Sequence, residues 1–182
     1  MAVIVYRGVK YEEALQVIAR QSYEQQERRT FLQGIRAKAV FGQGVYLVSN
    51  PQVAAEYAYC HAEAGWDKGA ILRQTLDTQE MMFLTSAYGE NELRQEALLW
   101  EYTDSELLRI HSIMTSHEWQ AWTGERIRAY LQDRDYHGIV YPLSEELTYY
   151  VSYQPEMQIA DISLYGYFEQ KESEKDSENI QI

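Results

Sequence analysis

The sequence predicts an α+β fold formed by a single domain. Short apolar, β-branched runs recur along the chain and are separated by Gly, Pro and charged residues, a pattern typical of strands. Longer stretches with apolar residues three or four positions apart lie between these runs and predict helices. A chain of 182 residues, 46% of them hydrophobic, is long enough to bury one core and too short to require two.

The composition limits the partners and the compartment. A net charge of −12 argues against nucleic acid as the main partner, because nucleic-acid affinity rests on Lys and Arg. A small anionic ligand remains compatible, since Arg28, Arg29, Arg36 and Lys38 form a local basic cluster. The single cysteine, Cys60, excludes an intramolecular disulfide and a cysteine-rich zinc site, and it fits a reducing compartment.

The apolar stretches also bear on location. None approaches the ~20 residues needed to span a bilayer. The first residues lack a basic segment followed by a long apolar run, so we expect no classical signal peptide. We therefore expect a cytoplasmic protein without a membrane partner. An effector secreted through a non-classical signal would have the same features, and this alternative stays open, as does the oligomeric state.

The first predicted elements are a strand, a helix and a loop. Residues 2–6 form an apolar run that predicts a buried strand ending at Arg7-Gly8. Helical spacing from Tyr11 to about Gln26, with acidic residues in the first turn, predicts a helix. The polar residues 27–39 predict a loop that is suited to substrate contacts.

The next unit is a glycine turn, a strand and a capped helix. Gly42 and Gly44 allow a sharp turn, and the apolar run that follows them predicts a strand carrying Tyr46. Asn50 is suited to cap a helix that begins at Pro51, because Asn accepts the unpaired amide hydrogens and Pro has none.

The remainder of the chain alternates between predicted strands and predicted helices. We predict a turn between Gly65 and Gly69, strands at 70–76 and 81–84, and one or two helices within 90–114. Thr115 and Glu118 form a capping box that predicts a helix to about Asp133. The further predicted elements are a turn into a strand over 136–141, a charged loop at 144–147, a strand at 149–153, one or two strands at 159–168, and a disordered acidic tail at 169–182.

Two motifs resemble a known superfamily. The segments Val5-Tyr6-Arg7-Gly8 and Phe41-Gly42-Gln43-Gly44-Val45-Tyr46-Leu47, the latter followed by Ala55-Glu56-Tyr57, resemble the ADP-ribosyltransferases. The second segment is similar to the nicotinamide-binding part of the poly(ADP-ribose) polymerase catalytic domain, and the Arg of the first is typical of the toxin-like branch. The resemblance implies split antiparallel sheets with flanking helices over residues 1–168, NAD as co-substrate and no metal.

The resemblance also implies a role for each matching residue. Arg7 would contact phosphate or ribose oxygens, because its guanidinium is a rigid fork of donors. Gly8 and Gly44 would let the backbone approach the cofactor. Tyr46 and Tyr57 would enclose the flat, cationic nicotinamide ring.

The third motif departs from the family. A strand of the form Glu-Tyr-Val-Val-Tyr-x-Pro supplies the family's catalytic Glu, and here Tyr149 occupies that position in Tyr149-Tyr150-Val151-Ser152-Tyr153-Gln154-Pro155. A neutral phenol lacks the carboxylate charge that stabilises an oxocarbenium-like transition state. Tyr149 itself would fill the third catalytic position, as in family branches that also replace the Glu, or Glu145 or Glu146, three or four residues upstream, would be the substitute carboxylate.

The resemblance therefore implies a mono-ADP-ribosyltransferase that releases nicotinamide and modifies an acceptor that the sequence does not identify, with a protein favoured over a nucleic acid or a small molecule. Two alternatives remain: an NAD glycohydrolase, and a catalytically silent module that binds NAD or ADP-ribose.

The sequence motifs of other site types are absent or incomplete. His61-Ala62-Glu63 lacks the cysteines of a zinc deaminase, and the glycine turn lacks the third glycine of a dinucleotide fingerprint. His111 and His117 lack a third metal ligand nearby.

Overall fold

The computed structural model describes residues 1–24, 40–62 and 68–169, with the side chains of residues 60–62 excepted. This part of the chain has an α+β architecture of seven strands and six helices. The strands are β1 (Ala2–Lys10), β2 (Val45–Val48), β3 (Lys68–Asp77), β4 (Met81–Phe83), β5 (Gly138–Pro142), β6 (Thr148–Ser152) and β7 (Ile159–Glu169). The helices are α1 (Tyr11–Arg20), α2 (Pro51–Ala62), α3 (Glu90–Leu99), α4 (Asp104–Ser112), α5 (Ser116–Gln132) and α6 (Pro155–Gln158).

All seven strands belong to one sheet in the order β4-β5-β6-β2-β1-β3-β7. The β4–β5 pair is parallel and the other pairs are antiparallel. Strand β1 pairs with β3 along its whole length, from Ala2 to Lys10, but it pairs with β2 only where Tyr6 faces Val48. The sheet therefore consists of two halves that are joined at one residue pair.

The two faces of the sheet are covered by different helices. Val5 and Val9 of β1 pack in a core cluster with Ala14 and Val17 of α1, and we call this the α1 face. Successive residues of a strand point to opposite faces, so Gly8 lies on the other side, against α2. We call this second side the α2 face. Helices α3 and α5 cover it over the other half of the sheet, where Leu93, Ala97, Ile127 and Leu131 form a second cluster with Ile139 and Val151.

The capped helices agree with the sequence predictions. The Asn50 side-chain oxygen accepts hydrogen bonds from the backbone N–H of Gln52 (2.8 Å) and of Val53 (3.4 Å), and α2 begins at Pro51. Thr115 and Glu118 form the predicted capping box of α5. The apolar stretch 90–114 forms two helices, and a second capping box at Thr103 begins α4.

Several boundaries differ from the predictions. Helix α1 ends at Arg20 because Gln21 adopts a left-handed conformation (φ 53°) and its side chain bonds to the backbone of Ile162 in β7. Strand β1 continues through Arg7-Gly8 because β3 pairs with it there. Gly69 lies within β3 rather than in a turn, and the Phe168 ring occupies the space of a side chain (2.3 Å from an added Cβ).

The ends of the last elements also differ from the predictions. Pro155 not only follows β6 but begins the short helix α6. Strand β7 extends to Glu169, which forms an ion pair with Lys68. The predicted loop at 27–39, the turn residue Gly65 and the tail from residue 170 onward lie outside the described residues. In the described part of the chain, no helix is both long and apolar enough to cross a membrane.

Candidate functional site

The junction between the two halves of the sheet is the centre of the candidate site. Beyond the Tyr6–Val48 pair, residues 7–10 of β1 and 45–47 of β2 no longer pair with each other. Each strand keeps its other neighbour, β3 for β1 and β6 for β2. The two strands therefore diverge, and α2, which follows β2, packs on β1 at Gly8 beside this point.

Tyr46 lies on the α2 face of β2 and is anchored to the glycine turn. Its hydroxyl donates a hydrogen bond to the Gly42 carbonyl oxygen (2.7 Å) and accepts one from the Phe41 N–H (3.2 Å). Burial is the main reason that the pKa of the Tyr46 phenol is raised well above its ordinary value. Tyr46 therefore stays neutral, and it offers a ring surface rather than a base.

The glycine turn itself is held by α5. Gly42 has φ +81°, and an added Cβ would lie 2.6 Å from the Gly124 carbonyl oxygen, so both the conformation and the space require glycine. The Gln43 N–H donates to Glu125 Oε1 (2.7 Å). The negative charge of Glu125 further raises the pKa of Tyr46. The sequence contains no signal for Glu125, which lies 82 residues from Gln43 along the chain.

Tyr57 of α2 and Tyr149 of β6 meet across the α2 face. Their hydroxyl oxygens are 2.9 Å apart, and their rings stand edge to face with centroids separated by 6.3 Å. Tyr57 is 44% exposed. Tyr149 and Tyr46 are diagonal neighbours on β6 and β2, which places their Cα atoms about 7–8 Å apart. The structure thus places Tyr57 in contact with Tyr149, and Tyr46 lies on the same face at a diagonal position.

Arg7 does not join them. Tyr6 pairs with Val48, so Tyr6, Val48 and Tyr46 share the α2 face. Arg7 points to the α1 face, where its guanidinium lies 4.8 Å from the centre of the Tyr23 ring and the residue is only 4% exposed. The prediction that Arg7 and Tyr46 line one pocket is therefore wrong, because strand alternation separates their side chains.

The two predicted cofactor-binding glycines have packing partners within the protein. A Cβ on Gly8 would lie 2.0 Å from the Ala54 carbonyl oxygen, so Gly8 lets α2 pack directly on β1. A Cβ on Gly44 would lie 2.8 Å from the Ser152 carbonyl oxygen of β6. Both glycines are thus explained by close contact between elements of the fold, without a ligand.

Glu145 and Glu146 lie in the exposed loop between β5 and β6, immediately before Tyr149. Ser49 fixes this loop to the start of α2, because its hydroxyl donates to the Glu146 carbonyl oxygen (3.4 Å) and accepts from the Thr148 N–H (2.9 Å). The two carboxylates therefore lie near the end of β6 that carries Tyr149, and they face solvent.

The described residues contain no group of three or more His, Cys, Asp or Glu side chains suited to hold a metal ion. Comparison with protein-family models, with curated proteins and with solved structures gives no match to this chain. The geometry of the site and the sequence motifs therefore carry the functional proposal.

Proposed function

We propose that this protein is an NAD-dependent mono-ADP-ribosyltransferase that transfers ADP-ribose to a protein acceptor and releases nicotinamide. The observation that carries the proposal is the contact between Tyr57 and Tyr149 on the face of the sheet that also bears Tyr46. These residues come from two strands and a helix that are far apart in sequence. A sheet whose halves share a single pair also supports the proposed split-sheet, ADP-ribosyltransferase-like fold.

The aromatic side chains suit the ring of the proposed ligand. Nicotinamide in NAD is flat and positively charged, and aromatic faces attract such cations. The exposed side of Tyr57 and the neutral ring of Tyr46 would enclose it. Breaking the hydroxyl contact between Tyr57 and Tyr149 would open the space between α2 and β6 for the ligand.

The transfer breaks the bond between nicotinamide nitrogen and ribose C1′. The bonding electrons leave with nicotinamide, which becomes neutral, and an acceptor nucleophile forms the new bond to C1′. The proton of the acceptor passes to a base. Tyr149 carries no charge for the oxocarbenium-like transition state, so Glu145 or Glu146 would supply the carboxylate from the adjoining loop.

The absence of a carboxylate at Tyr149 favours one second candidate, a module that binds NAD or ADP-ribose without turnover. An NAD glycohydrolase, in which water is the acceptor, is the third. The three candidates differ in their products: labelled protein and nicotinamide, no product, or free ADP-ribose and nicotinamide.

Incubation with NAD labelled in its adenosine part, together with cell lysate, distinguishes these candidates. The proposal predicts nicotinamide release and label on protein, and Tyr57→Ala should lower both at least tenfold. Tyr167→Ala is the matched control, because Tyr167 is 57% exposed, similar to Tyr57, but packs against Tyr11 of α1. Release of free ADP-ribose alone would identify a hydrolase. Equal turnover in both variants would reject the tyrosine site.

A further inference from the structure

An open groove lies between α3 and the end of α5, away from the tyrosine pair of α2 and β6. Its volume is about 540 Å³, within the range of roughly 300–1,000 Å³ that is typical of ligand sites. Three aromatic, two acidic and one basic side chain line it: Tyr88, Trp100, Tyr130, Glu92, Glu96 and Arg134. The groove thus combines aromatic surface, of which Trp100 is 43% exposed, with several charges.

Glu96 is the polar centre of the groove. Its Oε2 atom accepts hydrogen bonds from the hydroxyls of Tyr88 (2.7 Å) and Tyr130 (3.0 Å). Burial raises the pKa of both phenols, so both stay protonated and continue to donate. Within the described part of the chain, the Oε1 atom forms no hydrogen bond or ion pair. The carboxylate is therefore fixed through one oxygen and offers the other to a ligand that donates.

The charges that line the groove favour a cation. Arg134 is neutralised within the protein, because its Nη1 atom lies 3.2 Å from Asp133 Oδ2 and also donates to the Tyr130 carbonyl oxygen (3.2 Å). Glu92 accepts a hydrogen bond from the Gly89 N–H (2.9 Å). Neither Glu92 nor Glu96 forms an ion pair with any residue that the structure describes. Both negative charges therefore remain uncompensated.

The aromatic rings already hold one guanidinium group. That of Arg134 lies 3.8 Å from the centre of the Tyr130 ring and 5.5 Å from the centre of the Trp100 ring. These two rings stand edge to face with centroids 5.8 Å apart. A guanidinium is planar, stacks on aromatic faces and donates in a fork that matches a carboxylate. Because Arg134 pairs with Asp133, the Glu96 carboxylate beside these rings is left for a second guanidinium.

We propose that this groove binds an organic cation that carries a guanidinium group. The group donates to the Glu96 carboxylate and lies against the Trp100 ring. Two sources have this chemistry: a free guanidino compound, and an arginine side chain of a partner protein. The site is formed by α3 and α5, so the inference does not depend on the proposed function.

Calorimetric titration of the full chain with N-acetyl-arginine amide tests the site. The matched probe is N-acetyl-citrulline amide, which has a neutral urea group in place of the guanidinium and should bind at least tenfold more weakly. Glu96→Gln keeps an oxygen that accepts from both tyrosines, and it should weaken binding of the arginine probe about tenfold, the range of one charge-assisted hydrogen bond. Glu156→Gln, at an exposed position of α6, controls for net charge and should leave the affinity unchanged.

Arg134→Gln distinguishes a cation site from an anion site. Removal of this positive charge should strengthen binding of the arginine probe about threefold, the range of exposed charge pairs. A short peptide with one arginine that binds more tightly than the blocked amino acid identifies a protein as the source, and equal affinities identify a free compound. Equal binding of the arginine and citrulline probes, unchanged affinity in Glu96→Gln, or weaker binding in Arg134→Gln overturns the proposal. Absence of binding by both the blocked amino acid and the peptide also overturns it.

Discussion

Substitution of Gly8 by alanine distinguishes a packing role from a ligand-binding role for this residue. The added Cβ would lie 2.0 Å from the Ala54 carbonyl oxygen and 2.7 Å from the Ala58 nitrogen. Both are backbone atoms of α2, so no side-chain rotation relieves the contact. An ordinary contact between the new Cβ and the Ala54 oxygen needs 3.4 Å, so α2 must move away by about 1.4 Å.

This displacement determines the expected loss in the free energy of unfolding. Overpacking of a well-packed interior costs about 1–3 kcal/mol, and a contact with backbone belongs at the upper end. Alanine in a strand recovers about 0.5–1 kcal/mol relative to glycine. We therefore expect Gly8→Ala to lower the free energy of unfolding by about 2 kcal/mol. Because Tyr57 adjoins Ala58 on α2, ligand binding should also weaken.

Urea unfolding followed by far-ultraviolet circular dichroism measures the change. Gly166→Ala in β7 is the matched control, because its added Cβ would have no heavy atom within 4 Å. It should be neutral or stabilise the protein by about 0.5 kcal/mol. A Gly8→Ala protein that is as stable as the unchanged one, but has lost NAD binding, would refute the packing explanation and restore the ligand role of Gly8.

Three further predictions follow from single contacts. Tyr149→Glu places a carboxylate in the proposed site and should raise nicotinamide release at least tenfold, as measured by chromatography; unchanged release would contradict the position of the site. Burial raises the pKa of Tyr46, so the unfolded chain loses this proton first and stability falls above about pH 10. Tyr46→Phe should lose less stability between pH 8 and about pH 11 in urea titrations, and an identical loss would exclude Tyr46 as a cause. Thr115→Ala removes the α5 cap and should lower the unfolding free energy by about 1 kcal/mol, whereas Thr148→Ala, which keeps its backbone bond to Ser49, should change it less.

The local features of the chain could be predicted from the sequence because they depend on residues close to one another. The Asn50 cap followed by Pro51 and the capping box at Thr115 each involve fewer than five residues, and their hydrogen bonds form as expected. The alternation of short strands with helices was likewise sufficient for the α+β class. The sequence pattern therefore predicts the elements that bear Tyr46, Tyr57 and Tyr149, but not the contacts between them.

The tertiary structure alone decided which of these residues meet. The register Tyr6–Val48 joins strands that are about forty residues apart, and it places Tyr46 on the α2 face and Arg7 on the opposite one. A shift of one residue would exchange the faces, and no local pattern specifies the register between distant strands. The packing of α5 likewise brings Glu125 to the glycine turn, 82 residues from Gln43 along the chain. The sequence by itself therefore determined the elements and their aromatic residues, whereas strand register and helix packing determined the composition of the site.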